Sequence, residues 1–143
     1  MQVSNRAAVH CLIAYGATAC TDLTGFGLLG HTLELARGAR LVARLEWSRL
    51  PLIDGVRALA EQGFVTGASA RNWASYGDKV SLAIDRPDDR VLLTDPQTSG
   101  GLLVACEPAA VDRVLEVFRA EGFAAAAVVG RLDAGTAQVR VLP

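Results

Sequence analysis

Alternating helix and strand signatures place this chain in the α/β (α+β) class, as a mixed sheet with helices packed on it in one domain over residues 1–143. Three observations predict that architecture. Apolar residues recur at helical spacing in segments that stop on glycine, several short segments alternate apolar and polar residues, and the elements follow the order α, α-β-α-β, β-α-β-β. Hydrophobic residues make up 51% and charged residues 20%, so the chain is globular and long enough to bury a core.

Ser4 suits a helix N-cap, and Ala8, Cys11, Leu12 and Tyr15 follow at i, i+3, i+4, i+7, predicting a first helix over 5–15 with Gly16 as its stop. A second helix is predicted over 26–37. Its apolar arc is Phe26, Leu28, Leu29, Leu33, Leu35 and Ala36, its polar side His31, Glu34 and Arg37, and its end Gly38. Residues 40–47 switch to period two, with Leu41, Ala43, Leu45 and Trp47 on one face and Arg40, Arg44 and Glu46 on the other. Pro51 then opens a third helix carried by Leu52, Val56 and Leu59 and stopped at Gly63.

Residues 64–78 are small and polar and read as a long connection. Val80, Leu82 and Ile84 alternate as a strand. The loop at 94–101, TDPQTSGG, runs into an apolar strand at 102–106. Pro108 starts a helix with core positions Val111, Val114, Leu115 and Phe118, ended by Gly122. Two closing strands, 124–132 and 137–142, are joined by a hairpin turn at Asp133, Ala134 and Gly135.

Chemistry concentrates at 21–31, TDLTGFGLLGH. Gly25, Gly27 and Gly30 match G-x-G-x-x-G, and Glu46 lies 21 positions after Gly25, as in a dinucleotide-binding fingerprint. The context excludes that reading. A dinucleotide fold feeds its first glycine from a buried apolar strand, whereas here Thr21, Asp22 and Thr24 precede it, and no parallel βαβ series follows. Asp22 would also repel a pyrophosphate unless a cation lay between them. A carboxylate beside glycine-exposed amides and a helix N-terminus suits Mg²⁺ near phosphates, since magnesium uses one or two carboxylates and keeps several waters. On chemistry alone, an Asp22 that merely caps the following helix is equally open.

These residues resemble a known family. TDLTGFGLLGH at 21–31, RNWASYG at 71–77 and DPQTSGG at 95–101 closely resemble the C-terminal domain of selenophosphate synthetase (selenide, water dikinase), in the aminoimidazole ribonucleotide synthetase-like superfamily. Leu23, where valine is frequent, is a minor departure. The resemblance covers nearly the whole chain and implies a partly ferredoxin-like sheet. It also implies a reaction that turns ATP, selenide and water into selenophosphate, AMP and orthophosphate with Mg²⁺.

Under that resemblance Asp22 is the metal ligand. From the residues themselves, Thr21 and Thr24 offer hydroxyls beside Gly25 that suit either a nucleotide contact or a helix cap, and Asp95 and Ser99 lie in a loop that suits either an anion site or a tight strand entry. No catalytic residue falls in this chain, because the family's nucleophile, essential Lys and most nucleotide-binding residues belong to an N-terminal domain absent here. The isolated chain is therefore expected to be inactive. It is expected to expose an apolar patch near the glycine loop and to form a homo-oligomer. Alternatives are a non-catalytic interaction module of the same fold, or the equivalent domain of another ATP-dependent synthetase.

Fourteen basic against fifteen acidic residues leave no basic stripe, so no nucleic-acid partner is expected. Cys11, Cys20 and Cys106 are odd in number and lack C-x-x-C spacing, which fits inert thiols in a reducing cytoplasm. No secretory leader is expected from the first residues, and no run approaches the ~18 apolar residues of a membrane span.

Overall fold

The computed structural model describes Asn5, Val9, Ile13 and residues 15–83 and 86–143. In chain order its elements are β1 (Ala17–Asp22), α1 (Gly27–Ala39), β2 (Leu41–Glu46), α2 (Val56–Glu61), α3 (Gly67–Tyr76) and β3 (Val80–Leu82), then α4 (Pro87–Thr94), β4 (Leu102–Cys106), α5 (Val111–Ala120), β5 (Gly130–Ala134) and β6 (Gln138–Leu142). Short 3₁₀ turns occupy Trp47–Arg49, Gly77–Lys79 and Pro108–Ala110. Asn5, Val9 and Ile13 are helical and Tyr15 lies exposed in a turn, so the helix ends before the predicted 15; the other residues of 5–14, and Ile84 of the predicted strand, lie outside the described residues.

Contacts divide the chain into two units. The larger comprises Leu23–Gly100 and Val129–Pro143 and holds a four-stranded mixed sheet ordered β3-β6-β2-β5. β2 runs parallel to β6 and antiparallel to β5, and β3 runs parallel to β6. Ala43 and Leu45 of β2 and Val139 and Val141 of β6 are buried in one cluster with Leu29, Leu33 and Ala36 of α1, which packs on both strands. The alternation predicted for 40–47 holds only within β2: Ala43 and Leu45 face the core and Arg44 points to the other face, where it pairs with Asp133 at 2.5 Å, but Val42 on that face is also buried, Arg40 caps α1 and Trp47 begins a 3₁₀ turn. α4 packs against α1, α2 and α3. The smaller unit joins β1 and β4 as an antiparallel pair under α5, with Val114 and Phe118 buried among the described residues.

Several sequence expectations need correction. α1 continues past Gly38 to Ala39 and is capped by Arg40, whose left-handed backbone (φ 57°) turns its N–H back to the Ala36 and Arg37 carbonyls. Phe26 is the N-cap of α1 and lies 59% exposed, while Thr32 occupies the buried side. Pro51 does not open a helix. Its neighbours Leu52 and Ile53 are exposed, and α2 starts only after Gly55 reverses the chain at φ 80°.

The predicted connection at 64–78 is largely the helix α3, and α4 was not anticipated at all. α4 nevertheless carries ordinary start signals, with Pro87 in its first turn beside Asp88 and Asp89. The strand predicted from 124 begins only at Gly130, consistent with the weak strand preference of the preceding alanines. Its link to β6 is not a hairpin. β5 and β6 lie on opposite sides of β2, so residues 135–137 pass across the start of that strand. Gly135 permits the passage: its φ is 147°, and a Cβ there would lie 2.8 Å from Val42 Cγ2.

Candidate functional site

The glycine segment of the larger unit forms a tight turn into α1. The Thr24 carbonyl accepts the N–H of Gly27 and that of Gln97, both at 3.1 Å, which ties the turn to the 94–101 loop. Gly27 adopts φ 68°, and a Cβ on it would stand 2.6 Å from the Thr94 carbonyl carbon. A Cβ on Gly30 would stand 2.5 Å from Phe26 Cβ and 2.9 Å from the Tyr76 ring. Gly25 differs from both. It has no positive φ, and a Cβ there would meet nothing within 4 Å.

α3 braces this turn from behind. The Asn72 side-chain amide donates to the carbonyls of Gly25 and Thr94, each at 2.9 Å. The Tyr76 hydroxyl donates to the Phe26 carbonyl at 2.6 Å. Both side chains are buried, whereas Arg71 and Ser75 of the same motif are exposed. Burial pushes the Tyr76 hydroxyl up to about 12, with the Gly30 backbone amide acting in the opposite direction. At the other end of α3, the hydroxyls of Thr66 and Ser69 donate to Asp95 Oδ1 at 3.0 and 3.2 Å.

His31 serves the turn as an acceptor. Its Nε2 accepts the Thr24 N–H at 3.0 Å and lies 3.3 Å from the Thr24 hydroxyl. Its ring centroid is 5.7 Å from that of Phe26. Thr98 and Ser99 are exposed. Gly100 lets the loop close: a Cβ there would overlap the Leu23 carbonyl oxygen at 1.5 Å.

Thr21 and Asp22 end β1 in the smaller unit, paired with Leu103 and Leu102 of β4. The Thr21 hydroxyl donates to the Asp22 carbonyl at 3.1 Å, leaving the Asp22 side chain exposed. Thr21 and Asp22 border an open depression of about 390 Å³ with Cys20, Asn5, Val9 and Leu102. Among the described residues no three His, Cys, Asp or Glu side chains converge as a metal cluster. A lone exposed carboxylate fits Mg²⁺, which keeps most of its water and shares ligands with phosphate; it does not fit a closed zinc site. Burial, and secondarily the Asp22 charge, raise the Cys20 thiol above its ordinary range. Burial, with Glu107, does the same to Cys106, so both thiols are poor nucleophiles at neutral pH.

Thus Thr24, Gly25 and Asp95 are brought into one hydrogen-bonded framework, while Thr21 and Asp22 stand at the end of the other unit's strand pair. The sequence marks Asn72 and Tyr76 as part of the RNWASYG resemblance, in a segment that reads as a connecting loop or a cleft lining, without their bracing role. Their signal was the i, i+4 spacing of two large hydrogen-bonding side chains among small residues.

Residues 2–142 match the family model described as "AIR synthase related protein, C-terminal domain". The chain belongs to this family. This AIR synthase related domain is 61% identical over 127 residues to the "Selenide, water dikinase" of Pseudomonas straminea, covering 88% of the chain and 36% of that protein. It is 56% identical over 138 residues to the protein of the same name from Burkholderia orbicola, covering 96% and 39%. The chain thus spans less than two fifths of the length of these curated relatives. Among solved structures it resembles the E. coli hydrogenase maturation protein HypE (TM-score 0.70, 19% identity, 96% of this chain and 36% of that one). It also resembles a thiamine-monophosphate kinase from Stenotrophomonas maltophilia (TM-score 0.60, 17% identity, 91% and 32%). At such identities these two likenesses establish the fold, a mixed α/β domain of the AIR synthase C-terminal kind.

Proposed function

We propose that this domain is the C-terminal part of a selenophosphate synthetase, the enzyme that makes selenophosphate, AMP and orthophosphate from ATP, selenide and water. The observation that carries this reading is 61% identity over 127 residues to a selenide, water dikinase, far above the 19% shared with a neighbour of the same fold. Asp22 is the ligand this chain offers to Mg²⁺, supported by its exposed carboxylate at a strand end. When bound, that ion offsets the charge of the polyphosphate.

Thr21, Thr24, Gly25 and Ser99 are the proposed nucleotide-side contacts, with Asp95 in the same loop as Ser99. Gly25 supports this directly. Among the described residues nothing requires a glycine there, so the bare backbone suits the close approach of a ligand. The nucleophile and the remaining phosphate ligands belong to a companion N-terminal domain, which is the domain's first partner, a second copy of the chain being another. The setting is cytoplasmic, without nucleic-acid or membrane partners; no helix among the described residues is long and apolar enough to cross a membrane. Phosphoryl transfer depends on several groups held together, so the 143-residue chain alone is inactive.

A chimera tests this, with the chain replacing the matching part of the Pseudomonas straminea relative and selenide-dependent AMP formation followed by phosphorus NMR. The chimera should turn over, the chain alone should not, and Asp22→Ala in the chimera should lose ~100-fold or more. Turnover by the chain alone, or an unaffected Asp22→Ala chimera, would overturn the corresponding assignment. An inactive chimera that binds Mg-ATP and folds normally would remove the synthetase reading.

A further inference from the structure

We infer that α3 is the positioning element of the candidate phosphate site: Asn72 and Tyr76 set the peptide planes of the glycine turn, and Asp95 anchors the helix that carries them. The phosphate part rests on the proposed function; the positioning part rests on geometry alone.

The side of α3 that is buried is polar. Ser69, Asn72 and Tyr76 face inward at i, i+3, i+7, where a helix that served only to fill the core would carry aliphatic residues. Burying an amide is unfavourable unless its hydrogen bonds are made, and Asn72 donates both of its amide hydrogens to main-chain carbonyls. Those carbonyls belong to Gly25 and Thr94, one in each of the two motif loops. Tyr76 adds the carbonyl of Phe26. Three carbonyls from two loops therefore converge on one helix.

The consequence follows from peptide geometry. A trans peptide holds its C=O and N–H antiparallel, so drawing the Gly25 carbonyl onto Asn72 turns the Phe26 N–H away from α3. The same holds for the Asp95 N–H, whose peptide shares the Thr94 carbonyl. Both N–H groups are thereby directed away from the helix, the Phe26 N–H from a turn whose Gly25 side is open. Aliphatic residues at 72 and 76 could fill the space but could not orient these planes. Asp95 closes the arrangement, since Thr66 at the α3 N-cap and Ser69 one turn later both bind its Oδ1 and so fix where Asn72 and Tyr76 point.

The test compares Asn72→Ala and Tyr76→Phe with Leu45→Val, a change in β2 that weakens the core of the same unit. In the 143-residue chain, amide exchange by NMR is read at Gly27 and Gln97, whose N–H groups bond to Thr24, and at Val141 in β6. Exchange at Gly27 and Gln97 should rise about tenfold more than at Val141 in the α3 variants, and in parallel with Val141 in the control. Parallel rises in all three variants would overturn the positioning role. Should Asn72→Ala fail to fold, Tyr76→Phe, which deletes a single oxygen, decides. In the chimera, Tyr76→Phe should raise the KM for ATP about tenfold with kcat within about twofold. A local exchange response with an unchanged KM would overturn the phosphate assignment, leaving the turn-shaping role standing.

Discussion

Tyr76 carries two separable loads, a packed ring and a hydroxyl that holds the Phe26 carbonyl. Because its folded-state pKa is raised from 10.0 to about 12, the unfolded chain loses the phenolic proton first as pH rises. The stability linked to this group is therefore complete below about pH 10 and declines from there to about 12. The loss over that window is about 2–3 kcal/mol. Urea denaturation at pH 9 and pH 11.5 should show that extra loss in the native chain and not in Tyr76→Phe; an identical loss in both would refute the assignment. Asn72 is as demanding. Asn72→Asp keeps the shape but sets a carboxylate oxygen against two carbonyls, and should cost about 2–4 kcal/mol in the same assay. The Thr32 hydroxyl presents the opposite case. It is buried without a partner among the described residues, so Thr32→Val should be neutral or stabilising by up to ~1 kcal/mol.

At the scale of elements, what was legible in the sequence depended on whether burial was apolar. α1, α5 and β2 bury leucine, valine or phenylalanine, and their periodicity reads directly. α3 buries Ser69, Asn72 and Tyr76, so a hydrophobic-period reading sees only a polar connection. The order of β5 and β6 was hidden for another reason. A short link beside Gly135 fits a hairpin or a crossing past β2 equally well, and only long-range pairing decides. The chemical loop itself was legible, but not the division of labour among its glycines. Gly27→Ala forces a side chain into a left-handed turn and against the Thr94 backbone, and should cost ~3 kcal/mol or more. Gly25→Ala, facing open space, should leave the melting temperature within a few degrees yet weaken ATP use in the chimera by about tenfold or more. Equal effects of the two substitutions on stability would contradict this separation.

For the whole molecule, the contrast between the two hydrophobic cores predicts unequal stability within one chain. Among the described residues the larger unit buries nine in one cluster beneath its four-stranded sheet, and the smaller buries Val114 and Phe118 against one strand pair. Opening free energy follows the apolar surface an opening exposes, so amides in β1 and β4 should exchange through openings roughly 2 kcal/mol cheaper than those in β2 and β6. Phe118→Ala should widen that gap by about 3 kcal/mol, because its ring is buried in the smaller unit and meets Phe123 edge-on at 5.7 Å. Native-state exchange by NMR decides: uniform protection across β1, β4, β2 and β6 would mean that the chain opens only as a whole, and would remove the unequal-stability argument.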